Sequence, residues 1–286
     1  MNRIRKVLIG SVYALVMTAG LCDTSVASAE SLDVKGHNEG LTVAFFSYRP
    51  NAYLNEAGEL VGTDPETIRA VLEDMGLKIA TMVDTEWGNL VPGLNAGRFD
   101  IIAAGMYVTP DRCKQVAFSE PYLGFSQAMA VPKGNPNALQ TIEDIAAKGL
   151  KVAVIAGSAQ VGYAADAGVP EANVMQIPDT ATGAAALRAG RVDALYIDTP
   201  GIRALVESIP ERDLEMTKPF DTVKGRVVMP HGAFAFRQAD AAFVKTFDVA
   251  LKKRLASSDQ VEMLKRNGLS ADEMPRFTTE DLCAGK

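Results

Sequence analysis

The sequence predicts an α/β protein built from two similar half-domains. Past residue 30, short β-rich runs alternate with amphipathic helical ones through most of the 286-residue chain, which is the pattern of sheets layered with helices. A motif of the form L-x-A-G-R-h-D-x-h, where h is apolar, occurs twice, as LNAGRFDIIAAG from Leu94 and LRAGRVDALYID from Leu187. Each copy reads as a helix, a glycine stop and a strand, and puts Gly105 or Asp198 at the carboxyl end of its strand. Open α/β sheets bind ligands in the crevice outside those ends, so the two copies would bring two strand ends toward one ligand. Chance recurrence of common helix-to-strand residues competes with this when the echo is taken alone.

The elements follow in order. LTVAFF (41–46) is a strand. TDPETIRAVLEDMG takes Thr63 or Asp64 as its cap and Pro65 at its first helical position, gathers Ile68, Val71, Leu72 and Met75 on one face, and stops at Gly76. LKIATMV returns as a strand, EWGNLVPGLNAG is helical despite Pro92, and FDIIAAG is a buried strand. TIEDIAAKG opens with the capping-box spacing Thr141 to Asp144, and LKVAVIAG is another strand. FSQAMAVPKGNP (125–136) and HGAFAFRQAD (231–240) are apolar extended runs ending in polar turns, as expected of hinge strands that cross between lobes. One lobe would comprise 30–130 with 232–286, and the other 131–231.

The amino terminus reads as a secretory signal. Arg3, Arg5 and Lys6 precede a mostly apolar stretch from Val7 to Leu21, and Ala27-Ser28-Ala29 is a small-residue cleavage pattern. The apolar stretch is short of the roughly 20 residues a spanning helix needs, and Leu21 stands where a lipobox before Cys22 needs a small residue. Residues 1–29 are therefore expected to leave a soluble exported protein, large enough for two ordinary domains. The formal net charge of −6 argues against nucleic acid as a partner. Cys113 and Cys283 would survive cleavage into an oxidising compartment; they form one disulfide tying the tail to the body, or remain two thiols.

Thr109-Pro110-Asp111-Arg112 has cap, proline and acid in the order of a helix start, so Arg112 falls in the first turn. Free backbone N–H groups already attract an anion there, and the guanidinium adds a fork for a carboxylate or phosphate. IAGSAQVG repeats the arrangement: Gly157 permits close backbone approach, and Ser158 offers a hydroxyl and an N–H, although a plain N-cap explains it equally well. Asp198 ends an apolar strand where it can receive an ammonium or cap the helix that begins near Pro200. Trp87, Tyr107 and Tyr48 lie near strand ends and could enclose an apolar or cationic group, or simply pack in the core. Only two histidines occur, His37 and His231, and neither a nucleophile elbow nor a phosphate loop is present. Binding without metal or cofactor is the expectation.

From about Leu41 to Gly268 the chain resembles the family 3 solute-binding proteins of ABC importers. The likeness is carried by GELVGTDPETIRAVLEDMGLKIA, WGNLVPGLNAGRFDIIAAGMYVTPDRCKQVAFSEPY, AGSAQ, LRAGRVDALYID and GAFAFRQADAAFVKTFDVAL. The resemblance implies a type II periplasmic binding protein: two α/β lobes, two hinge strands and a ligand cleft between. It implies that Arg112 clamps the ligand carboxylate with help from Ser158, that Asp198 receives the α-ammonium, and that Trp87, Tyr107, Tyr48 and Asn51 line the pocket. Gly105, Val108 and Thr109 fall where the family meets its ligand through backbone or hydroxyl. Ala159 stands where the family often has a second Ser or Thr, and Tyr107 where it often has serine. AAGMYVTPDRCKQVAFSEP is nearer to the ectoine and hydroxyectoine branch, while the first loop, SYRPNAY, departs from it. The implied protein is a monomeric periplasmic receptor, delivering an amino acid or related zwitterion to an inner-membrane permease. Cyclohexadienyl dehydratases resemble the same family, but would need a general acid, for which only Asp198 or Glu86 stand out.

Overall fold

The computed structural model describes residues 31–285 apart from 210, 271 and 272; the expected signal segment lies outside the described residues. Two sheets organise the chain. The first has the spatial order Ile79–Asp84, Leu41–Phe45, Ile101–Tyr107, His231–Phe236, Ala117–Phe118, with Leu123–Gly124 also paired to His231–Phe236. Its first three strands are parallel, and His231–Phe236 runs antiparallel to its partners. The second has the order Val174–Ile177, Val152–Ile155, Ala194–Asp198, Gln127–Pro132, Leu214–Met216. Again the first three are parallel, and Gln127–Pro132 is antiparallel to both neighbours. Each sheet thus has an edge strand, a first strand and a third strand in parallel, closed by an antiparallel strand from elsewhere in the chain.

The repeated motif supplies the third parallel strand of each sheet, and the backbone shows why its residues recur. Gly97 and Gly190 end their helices with φ of 71° and 65°, a left-handed turn that glycine takes without steric cost. Asp100 and Asp193 then lock the strand to its neighbour in the same way. Asp100 N donates to Thr42 O at 2.8 Å while its carboxylate accepts from Thr42 N at 3.0 Å. Asp193 N donates to Lys151 O at 2.8 Å, and its carboxylate accepts from Lys151 N at 2.9 Å.

Most expected elements form where the apolar spacing puts them, and one helix start differs. Helix Thr63–Asp74 is capped by Gly62 at φ 119°, not by Thr63 or Asp64. A Cβ at Gly62 would meet Asn51 O at 2.4 Å, so the tight packing of the Asn51 loop fixes the turn one residue early. Glu66 completes the cap by accepting from Gly62 N at 3.0 Å. The expected capping box of Thr141 and Asp144 is present at helix Ile142–Lys148, and Pro92 is accommodated in the first turn of helix Leu90–Asn95.

The chain passes between the sheets twice. Leu123–Gly124 pairs in the first sheet and Gln127–Pro132 in the second; Phe220 bridges to Gln127 and His231 pairs with Gly124 on the return. Each apolar run belongs to one sheet, and the crossings are the short segments 125–126 and 221–230. Helix Ala241–Leu255 packs with Thr63–Asp74 against the first sheet, burying Phe243, Phe247 and Leu251 with Ile68, Val71 and Leu72. Helix Ile142–Lys148 buries Ile142 and Ile145 against the second. Each such side chain contributes about 1.5–3 kcal/mol on burial, which fixes both sheets as platforms for the strand ends. A disulfide joins Cys113 to Cys283, tying helix Thr279–Cys283 to helix Pro110–Cys113.

Candidate functional site

The crevice of each sheet opens between its first and third parallel strands, and the residues there meet one another. From the first sheet, Leu41–Phe45 runs on into Phe46 and a loop closed by paired backbone bonds between Tyr48 and Ala52 at 2.7 and 2.8 Å. Ser47 anchors that loop to Asp84, at the end of the neighbouring strand, through N–H and hydroxyl bonds of 3.1 and 2.6 Å. Gly105 interrupts Ile101–Tyr107 with φ 54°, and a Cβ there would lie 2.6 Å from Asn51 Nδ2. Only glycine lets the Asn51 amide cover this strand.

From the second sheet, Val152–Ile155 ends in Gly157, at φ 73°, and then in Ser158, the N-cap of helix Ala159–Ala167. Ser158 makes no side-chain cap bond, and its buried hydroxyl has no partner among the described residues. The cap explanation for this serine therefore accounts for its backbone and not for its hydroxyl. Asp198 does cap helix Thr199–Ser208, and it serves the crevice as well. Its Oδ1 accepts from Gly201 N at 2.9 Å and from Tyr48 Oη at 2.7 Å, while Oδ2 accepts from Tyr107 Oη at 3.3 Å. Tyr48 and Tyr107 reach it from the first sheet, so the acid joins the two crevices.

Gln160 extends this network, donating from Nε2 to Tyr107 Oη at 3.3 Å and to Gln127 Oε1 at 3.0 Å. A second set of bonds crosses at Gly157. Its carbonyl accepts from Trp87 Nε1 at 3.2 Å and from Arg112 at 3.3 Å. Arg112 also donates to Tyr107 O at 3.1 Å, with its guanidinium 5.6 Å from the centre of the Trp87 ring. Thr109 caps that turn, its hydroxyl accepting from Arg112 N at 3.3 Å.

The electrostatics follow from burial. Asp198 is only 7% exposed, and desolvation raises its pKa; the bonds from Tyr48, Gly201 and Tyr107 work against that rise. Burial pushes the Tyr48 and Tyr107 hydroxyls well above the usual phenol range, and the Asp198 charge adds to the effect. Both phenols therefore remain protonated donors toward the carboxylate. Burial lowers the pKa of Arg112.

Eight residues singled out from sequence line one cavity: Tyr48, Asn51, Trp87, Gly105, Tyr107, Ser158, Ala159 and Asp198. Thr109, Arg112 and Gly157 stand beside it rather than on its wall; the Arg112 fork is engaged by the carbonyls of Tyr107 and Gly157. Sequence reasoning missed Phe46, Phe125 and Gln160, which complete the lining with the apolar Ala104, Ile155 and Ile197. Gln160 follows directly on the Ser158-Ala159 turn, and although polar it is buried in the first turn of helix Ala159–Ala167. Phe125 sits in a run that read only as a hinge. The cavity offers aromatic faces, a single buried carboxylate on its wall and a free hydroxyl, a set suited to holding a small solute with a cationic nitrogen.

Comparison with known proteins gives a consistent group. The model of the bacterial extracellular solute-binding proteins, family 3, matches residues 41–268. A probable amino-acid ABC transporter periplasmic-binding protein, y4tE, of Sinorhizobium fredii is 31% identical over 283 residues, spanning 96% of this chain and 92% of its own. The cyclohexadienyl dehydratase of Pseudomonas aeruginosa is 28% identical over 232 residues, spanning 80% of this chain and 86% of its own. Among solved structures, EhuB in complex with hydroxyectoine superposes with a TM-score of 0.80 at 31% identity, covering 89% of this chain and 97% of that one.

Proposed function

Because the chain belongs to the bacterial extracellular solute-binding proteins of family 3, we propose that it captures a small amino-acid-like zwitterion between its two sheets and delivers it to an inner-membrane ABC permease. Asp198 carries this reading. It is a buried acid at a strand end, ringed by aromatic side chains and reached by two tyrosines from the opposite sheet. A cationic nitrogen in the cavity would gain the carboxylate and ring faces together, a pairing worth several kcal/mol once water is excluded. Ser158 Oγ, buried and unpartnered, faces the same space and would serve the solute's anionic end. Arg112 would exchange its bond to the Gly157 carbonyl for the solute carboxylate.

The working parts extend beyond the cavity. One lobe would comprise 31–124 with 231–285 and the other 127–220, turning about 125–126 and 221–230, so the boundaries fall a few residues before those expected at 130 and 231 because Gln127–Pro132 pairs in the second sheet and His231–Phe236 in the first. Residues 1–29 would direct export to the periplasm and be removed near Ala29. Hydroxyectoine, the ligand of the EhuB structure, is the first solute to try, since its ring carries a cationic amidine and a carboxylate. The test is a thermal-shift screen of hydroxyectoine, ectoine, betaines and the common amino acids, because a ligand bound only by the folded state raises the melting temperature. At least one zwitterion should raise it by several degrees, and Arg112→Ala should abolish the effect. A protein that ignores the whole panel, or that instead turns over prephenate or arogenate, would overturn the reading.

A further inference from the structure

A second buried acid lies behind the cavity wall. Asp64, in the first turn of helix Thr63–Asp74, is fully buried. Its Oδ1 accepts a short bond from Tyr122 Oη and one of 3.2 Å from Thr63 Oγ1. Its Oδ2 has no partner among the described residues. Tyr122 is itself fully buried and stacked on Phe234, ring centres 4.2 Å apart, so its hydroxyl has little freedom. That hydroxyl also accepts from Gly105 N at 3.0 Å. Asp64 N, meanwhile, donates to Asn51 O at 2.9 Å. Asp64 is thereby linked to both Gly105 and Asn51, which pack closely against each other at the cavity.

We propose that Asp64 is a positioning residue for the cleft: through Tyr122 and Asn51 it sets the Gly105 backbone and the Asn51 amide, and it transmits its own ionisation to the cavity. The ionisable groups that face it are Tyr122, Tyr48 and Asp198. Glu66, on the same helix, turns away to bond Arg266. An ionised Asp64 accepts fully from Tyr122, which strengthens the phenol oxygen's hold on Gly105 N. A protonated Asp64 competes for that same oxygen as a donor. Burial raises the Asp64 pKa to about 7, against the pull of the Tyr122 and Thr63 hydrogen bonds, so the change falls within reach of neutral pH.

The chemistry of the solute does not enter this argument, so it can be tested without one. In amide NMR spectra of the ligand-free protein from pH 5 to 9, the Gly105 resonance should move through a step centred near 7. Asp64→Asn and Tyr122→Phe should both remove the step, and Asp198→Asn should keep it. Tyr122→Phe retains the buried acid and removes the hydroxyl that links it to Gly105, which decides the matter even if Asp64→Asn fails to fold. With L-arginine or hydroxyectoine as probe, wild-type affinity should be about 3- to 10-fold tighter at pH 8 than at pH 6, and the ratio should fall toward one in Tyr122→Phe. Failure of both probes to bind would count against the solute reading above, while the Gly105 step still decides this one. A step that survives in Tyr122→Phe, or no step in wild type, overturns the proposal.

Discussion

Asp198 does two jobs with one carboxylate, and the jobs can be separated. Asparagine keeps an oxygen for Gly201 N and so can still cap helix Thr199–Ser208, but it carries no charge for a cationic solute. Asp198→Asn should therefore fold with a melting temperature within a few degrees of wild type, yet bind at least ~100-fold more weakly by calorimetry, as expected when a buried ion pair loses one partner. Gly201 is the other decisive residue. A Cβ there would stand 1.6 Å from Tyr48 Oη, so Gly201→Ala must displace the Tyr48 ring from Asp198. The clash and the broken buried bond outweigh alanine's better helix propensity, so stability should fall by about 1–3 kcal/mol and affinity by about tenfold; unchanged affinity would show that the Tyr48–Asp198 bond does not shape the site.

At the scale of elements, the repeated motif was legible because its residues answer to backbone geometry. Gly97 and Gly190 stop helices, and Asp100 and Asp193 lock strands, all within one short window of sequence. The start of helix Thr63–Asp74 was not legible, because Gly62 is chosen by contact with Asn51 rather than by local capping chemistry. Arg112 shows the same limit: its helix start could be read, but its engagement by the Gly157 carbonyl comes from a turn 45 residues away. Gln160 and Phe125 became site residues only when the sheets faced each other. The disulfide between Cys113 and Cys283 closes a span of 170 residues, and long loops cost most to leave open in the unfolded chain. Replacing both cysteines by serine should lower stability by about 2–4 kcal/mol in urea unfolding. The loss should appear first as faster hydrogen exchange in helix Thr279–Cys283.

At the scale of the molecule, two platforms with matching topology present their crevices to each other, and polar groups from both sides already satisfy one another there. Solute binding then replaces bonds such as Tyr48 to Asp198 rather than creating order from nothing, which keeps the cost of closure low. The buried acids also leave a mark on global stability. Asp64 is raised from 3.8 to about 7, and Asp248 to about 6 by burial. For a group whose folded pKa is raised, stability is fully present below the unfolded value and lost as pH rises through the folded one. Urea midpoints should therefore decline between pH 4 and 8, and Asp64→Asn should flatten much of that decline, a difference of a few kcal/mol. Equal slopes in the two proteins would remove Asp64 from the account.

A zwitterion held between the sheets would set its cationic nitrogen against Asp198. Isothermal titration of wild type and Asp198→Asn with hydroxyectoine, ectoine and the basic and polar amino acids tests it most directly. At least one of these solutes should bind the wild type one to one, and a folded Asp198→Asn protein should lose that binding. Binding that persists undiminished in the variant, or no binding to the wild type across the series, would contradict it.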